Sequence, residues 1–253
     1  MEVFNPFTLE GKQILVTGAS SGIGKAIAIA CAKMGATVIV TARNKQRLAE
    51  TLSLMPQGVH KAIMADLTCQ EDIDALVFEL PKLDGLVQCA GVGSRIPCKN
   101  ISKVDLQQVF APNVEAPILL QSLLLSKKKI NKAASIVYVA SRAASAPSFG
   151  NAAYSASKGA IISYAKCLAL ELASRFIRVN CICPGMVWTD LILKDGISID
   201  QLEQSQLSYP LKRFGQPEDI ANLAIYLLSD ASSWMTGSSL DISGGGEGIL
   251  TSK

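Results

Sequence analysis

The stretch Val16-Thr17-Gly18-Ala19-Ser20-Ser21-Gly22-Ile23-Gly24 places three glycines within seven residues. It stands between the apolar run Ile14-Leu15-Val16 and an Ala- and Ile-rich segment, Lys25–Lys33. An uninterrupted β-branched run reads as a strand buried on both faces, and the segment after the glycines reads as a helix. Gly18 permits a tight exit from the strand, Gly22 lets the backbone approach a pyrophosphate, and Gly24 lets the helix pack closely. With Ser20, Ser21 and Ile23 they form a phosphate cradle at a helix N-terminus. The spacing lacks the Gly-Lys-Ser/Thr of a nucleotide-hydrolysing loop. Taken alone, the stretch is also compatible with a glycine-rich turn that holds no ligand.

Outward from this loop, short apolar strands alternate with helical patterns. The expected strands are Gln13–Thr17, Thr37–Thr41, Val59–Ala65, Gly85–Cys89, Ser135–Ala140, Arg178–Cys183 and Ser239–Ile242. That rhythm predicts a single α/β domain spanning 1–253, a doubly wound parallel sheet of about seven strands of the Rossmann type. No repeat or low-complexity linker divides it. The segment from about Thr189 to Phe214 is mixed polar and apolar, with no strand of its own. It would lie beyond the carboxyl ends of the strands, where such sheets bind ligands, and reads as a substrate lid.

Composition narrows the chemistry. Hydrophobic residues make up 49% of the 253, charged residues only 18%, and the net charge is +3. So mild and scattered a charge does not point to nucleic acid, and Lys127-Lys128-Lys129 reads as a solvated helix end. Lean charge agrees with a surface partly covered by sister subunits. Seven cysteines occur without a C-x-x-C pair, which implies neither a disulfide framework nor a zinc site and fits a reducing compartment. The opening residues lack the basic start and apolar core of a secretory signal, and no apolar run reaches the roughly 18 residues of a membrane span. The expectation is a cytoplasmic protein with no membrane partner. A single histidine, His60, excludes Ser-His-acid triads and multi-histidine metal sites; placed in an expected strand, it is given no role.

Tyr154-Ser155-Ala156-Ser157-Lys158 opens a helical stretch running to about Ser174. Positions i and i+4 share a helix face, so the Lys158 ammonium can favour the Tyr154 phenolate and make the tyrosine a general acid/base. Ser141, thirteen residues upstream at the end of an expected strand, can hold a substrate oxygen beside it.

Together these features resemble the short-chain dehydrogenase/reductase family along essentially the whole chain. The matching residues are TGASSGIG at 17–24, Asp66-Leu67, Cys89-Ala90-Gly91, Asn113, Ser141, YSASK at 154–158, Pro184-Gly185 and Thr189. RFGQPEDIA at 213–221 and Met235-Thr236-Gly237 leading to Ser243-Gly244-Gly245 continue the match. The resemblance implies that Tyr154 transfers the proton, Ser141 polarises the carbonyl, Lys158 tunes Tyr154 and binds the nicotinamide ribose, and Asn113 supports a proton-relaying water. It implies cofactor contacts at Gly18, Ser20, Ser21, Gly22, Ile23, Gly24, Arg43, Asp66, Leu67, Cys89, Ala90, Gly91, Tyr154, Lys158, Pro184, Gly185, Val187 and Thr189, and no metal.

The implied reaction is hydride exchange between a nicotinamide and a small-molecule ketone/aldehyde or secondary alcohol. The carboxy-terminal region is similar to 3-oxoacyl carrier-protein reductases and to sugar or polyol dehydrogenases. An NAD-dependent alcohol dehydrogenase and a nucleotide-binding regulator without turnover are the rival readings. Val40-Thr41-Ala42-Arg43 offers no acid for a ribose hydroxyl and an arginine for a 2′-phosphate, so NADP(H) is expected over NAD(H). Arg142 and Arg95 offer cations to an anionic substrate, or to solvent. Gln88-Cys89 stands where the family has two asparagines, and Cys89 reads as an inert small hydrophobe or as a redox-sensitive thiol. The resemblance also implies a homotetramer packed through the helix after Asp105 and the helix from Tyr154. Pro112 and Pro117 bracket Asn113, and mark either a kinked helix or a loop.

Overall fold

Strands without polar alternation need cover on both faces, and that requirement organises the molecule. The computed structural model describes residues 4–193 and 198–246. Its first half runs β1 (Gln13–Thr17), α1 (Gly22–Lys33), β2 (Thr37–Ala42), α2 (Lys45–Ser53), β3 (Lys61–Met64), α3 (Gln70–Glu79) and β4 (Leu83–Gln88). The second half runs α4 (Lys103–Phe110), α5 (Ala116–Ser126), β5 (Ile130–Val139), α6 (Ala152–Leu172) and β6 (Arg178–Pro184). It ends with α7 (Asp190–Leu193), α8 (Ile199–Gln206), α9 (Pro217–Leu228) and β7 (Ser239–Ile242).

All pairings are parallel, in the order β3-β2-β1-β4-β5-β6-β7. One face is packed by α1, α2 and α9 through Ile27, Ala28, Leu48, Ala221, Ala224 and Leu227. The other is packed by α3, α5 and α6 through Ile73, Leu76, Leu120, Ile161 and Leu168. The chain leaves β1 in one direction and β4 in the other, so a crevice opens at their carboxyl ends.

Five expected strands differ in extent: β2 and β6 run one residue further, β4 starts at Leu83 and ends at Gln88, and β3 and β5 change for reasons their side chains show. His60 and Val59 lie outside β3, and the His60 Nδ1 accepts the Val38 N–H at 3.1 Å. The ring therefore occupies a backbone donor at the margin of β2 in place of a strand residue. β5 starts five residues earlier than Ser135, at Ile130. Polar Asn131 is tolerated there because the Asp84 carboxylate takes its Nδ2 at 2.7 Å and the Gln13 N–H at 2.9 Å. A register shift between Leu83 and Gly85 and a left-handed Ala133 absorb the extra residues.

Pro112 and Pro117 do not make a loop. Ala111–Glu115 is a π-turn joining α4 to α5, with the Ala116 N–H bonded to the Ala111 carbonyl. The joined run Lys103–Ser126 is by length and composition alone apolar enough to cross a membrane, although Asp105, Gln107, Gln108, Asn113, Glu115 and Gln121 interrupt its apolar residues. Its Val109, Ala116, Leu120 and Leu124 are buried in the protein's own core. The expected lid is built from α7 and α8, whose Ile192 and Leu202 join Tyr209 and Phe214 in a separate small cluster; residues 194–197 lie outside the described part.

Candidate active site

A cleft of about 710 Å³ runs across the carboxyl ends of the strands. Every residue singled out in the sequence for cofactor or catalysis lines it, except Asn113. The β1–α1 turn forms its floor. Gly18 has φ +66°, and a Cβ there would sit 2.8 Å from the Ala90 Cα, so only glycine lets the turn press against the end of β4. Gly22 has φ +51°, and a Cβ would stand 3.1 Å from Thr189 Cγ2. Side chains at these positions would fill the groove, so the loop fits a pyrophosphate laid on backbone N–H groups. No acid occupies the first turn of α1, which leaves its positive dipole end available to an anion.

Thr17 holds the same junction together. Its buried hydroxyl accepts the N–H groups of Cys89 and Ala90 at 3.0 and 3.1 Å. At one end of the cleft, Arg43 and Arg47 line the wall beside Asp66. Hydrogen bonds from Thr68 hold the Asp66 carboxyl below its ordinary range, with the Arg43 charge assisting. Arg47 reaches Asp190 of α7 at 3.3 Å, bridging the cleft. Cys89 faces the cleft, yet burial of its thiol pushes it up to about 12, with the Lys158 charge offsetting only part of this. A neutral thiol is a poor nucleophile, which favours the inert reading of Cys89.

At the other end, Ser141 closes β5 and caps a short turn. Its Oγ accepts the Ala143 N–H at 3.1 Å, leaving the hydroxyl hydrogen to donate into the cleft. Tyr154 and Lys158 stand one turn apart on α6, with the Lys158 Nζ 5.7 Å from the tyrosine ring centroid. Lys158 is buried, and its Nζ donates to the Val139 carbonyl at 2.9 Å. The ammonium is thereby anchored to β5 beneath the phenol.

Asn113 sits one layer behind the wall. Its Oδ1 accepts the Val92 N–H at 2.8 Å, and its Nδ2 donates to the Val92 carbonyl and to the Ser157 hydroxyl at 2.9 and 3.0 Å. Ser157 in turn donates to the Tyr154 carbonyl at 2.7 Å. The side chain of Asn113 is thus fully used in tying the loop after β4 to the helix that carries Tyr154. By its contacts it is a positioning residue. Of the two arginines near the substrate end, Arg142 is paired with Asp241. Arg95 has no hydrogen-bond or ion-pair partner among the described residues.

Thr17, Ser157 and Arg47 were not singled out in the sequence. The first two lie inside the recognised motifs but read there as strand and helix positions. Arg47 meets a residue 143 positions away, which no local pattern indicates. Among the described residues, no group of three or more His, Cys, Asp or Glu could hold a metal ion.

With this geometry in place, the family relationship is clear. A family model described as enoyl-(acyl carrier protein) reductase matches residues 18–247. L-xylulose reductase of Caenorhabditis elegans is 37% identical over 242 residues, 92% of this chain and 95% of that protein. The 3-oxoacyl-[acyl-carrier-protein] reductase of Rickettsia felis is 33% identical over 237 residues, covering 94% and 97%. A 7α-hydroxysteroid dehydrogenase crystallised with NADH and 7-oxo glycochenodeoxycholic acid superposes with a TM-score of 0.88 at 34% identity, covering 98% of this chain and all of that one. The chain belongs to the short-chain dehydrogenase/reductase family and is a nicotinamide-dependent oxidoreductase.

Proposed function

We propose that the protein reduces a ketone or aldehyde with NADPH, or runs the reverse oxidation, with Tyr154 as proton donor. The observation that carries this reading is the convergence of Ser141, Tyr154 and Lys158 on one end of a cleft whose floor is the glycine cradle. When bound, the nicotinamide supplies or accepts the hydride. Gly18 to Gly24 hold the pyrophosphate, Asp66 and Leu67 bound the adenine, and Pro184, Gly185, Val187 and Thr189 flank the nicotinamide.

Ser141 and Tyr154 both donate to the substrate carbonyl oxygen and draw charge onto it. As the carbonyl carbon gains its hydride, the oxygen takes the Tyr154 proton. Lys158 stabilises the phenolate left behind, and a proton from solvent restores the tyrosine. Asn113 keeps Tyr154 in place through Ser157, and its main-chain carbonyl supports the water that feeds the proton back. Oxidation runs these steps in reverse.

NADPH is preferred because Arg43, with Arg47 beside it, offers a guanidinium to the 2′-phosphate and Ala42 offers no carboxylate to a ribose hydroxyl. The substrate class extends to 3-oxoacyl carrier-protein thioesters and to sugar or polyol carbonyls, and α7 and α8 form the lid over it. The protein works in the cytoplasm, in keeping with seven free thiols. The test is a screen of ketones and secondary alcohols against both cofactors, followed by the absorbance of the reduced nicotinamide. Turnover with NADPH several-fold above NADH is expected; equal or better use of NADH would overturn the cofactor preference.

A further inference from the structure

The two ends of the cleft carry different charge. At the adenosine end, Asp66 lies in the field of Arg43 and Asp190 pairs with Arg47, so positive and negative charges alternate. Beside Ser141 and Tyr154 no carboxylate lines the wall among the described residues. Lys158 serves Tyr154 there, and the charge of Arg142 is neutralised by Asp241. What remains is Arg95, a cation in a concave wall with no partner among the described residues.

Nor is Arg95 a loosely held surface side chain. Three residues before it, Val92 is fixed to Asn113 through both its N–H and its carbonyl. One residue after it, the Ile96 N–H donates to the Gly150 carbonyl at 2.6 Å. Gly150 has φ +82°, and a Cβ there would come within 3.2 Å of Arg95 Cγ, so the stem of the arginine occupies space that only glycine leaves open. That contact sets Arg95 against the segment leading into α6, just ahead of Tyr154. An arginine whose backbone and stem are held in this way has less freedom to lose on binding, and its guanidinium lacks an anion.

We propose that the substrate carries an anionic group, a carboxylate or a phosphate ester, on the same molecule as the reacting carbonyl, and that Arg95 recognises it. This inference rests on the reading of the cleft as a carbonyl-reducing site. Bidentate pairing with the guanidinium fixes the far end of the substrate and so orients the carbonyl toward Ser141 and Tyr154.

The test uses a series of oxo-acids differing in the number of carbons between carbonyl and carboxylate, each paired with its methyl ester, together with dihydroxyacetone phosphate and dihydroxyacetone. The quantity read is the ratio of kcat/KM for the charged member to that for its neutral partner. The wild type should favour the charged member of at least one pair by about 10- to 100-fold, the range expected for a charge-assisted hydrogen bond. Arg95→Gln should collapse that ratio through KM, and Arg95→Lys should restore part of it. Preference for oxo-acids over the phosphate identifies a carboxylate substrate, and the reverse a phosphate ester. A wild-type ratio near one, or a ratio unmoved by Arg95→Gln, overturns the proposal. If no ketone turns over with either cofactor, the carbonyl-reduction reading fails by itself. Calorimetric titration with the same acid and ester pairs then reads the anion site directly, expecting the acid to bind more tightly in the wild type and equally with the ester in Arg95→Gln.

Discussion

At the scale of single residues, the site is a set of side chains whose spare hydrogen-bonding capacity points into the cleft. Ser141 has its acceptor side occupied by Ala143, and Lys158 has one donor fixed on Val139. Tyr154 and Lys158 were legible in the sequence as candidates because the proposed chemistry needs those types at a fixed helical spacing. Ser157 was not, because a serine within an alanine-rich helix carries no signal until its neighbours in space are known. Cys89 allows a prediction with a definite sign. Its thiol, raised to about 12 by burial, stays protonated well past neutrality, so alkylation by iodoacetamide should not increase between pH 7 and pH 9. Cys98, in the loop after β4, is exposed and should label first. Peptide mapping by mass spectrometry after a timed pulse distinguishes them; early labelling at Cys89 would return it to the redox-sensing reading.

At the scale of elements, the π-turn between α4 and α5 is the feature that departs most from regular structure. Pro117 has no N–H to offer the Asn113 carbonyl four residues earlier, and Pro112 removes the corresponding bond to Gln108. A widened turn results, with Asn113 buried at its centre. Both prolines were visible in the sequence, but composition does not distinguish a widened helical turn from a loop, since proline interrupts both patterns. Likewise β5 begins at Ile130 because Asp84 supplies partners from the neighbouring strand, a pairing no local pattern contains. Replacing Pro117 by Ala restores a donor at that position. The entropy lost by removing proline, about 0.4–1 kcal/mol, and the new helix bond, about 1 kcal/mol, nearly cancel. The melting temperature should therefore move little. Turnover should fall roughly 10-fold, less than removal of a general acid outright, with a larger solvent isotope effect. Unchanged turnover and isotope effect, with the helix bond formed in a crystal structure, would remove the relay role of this turn.

At the scale of the whole molecule, the doubly wound parallel sheet of about seven strands was recoverable from the alternation of strands and helices, and the cleft follows from where the observed strand order reverses. The distribution of charge along the cleft was not, because Arg142 and Asp241 are 99 residues apart in sequence. Exposed Val104, Leu119 and Leu170 on α4, α5 and α6 leave apolar surface on the helices expected to meet sister subunits. Multi-angle light scattering at micromolar concentration should give a mass about four times 26.8 kDa; a monomer with activity intact would contradict the homotetramer. The account as a whole stands on Tyr154 acting as the proton donor beside a bound nicotinamide. The most direct measurement is steady-state turnover of Tyr154→Phe, with cofactor affinity titrated in parallel, on whichever carbonyl the wild type reduces best. We predict unchanged folding and cofactor binding with kcat lower by about 100-fold or more; near-native turnover in that variant would contradict the mechanism.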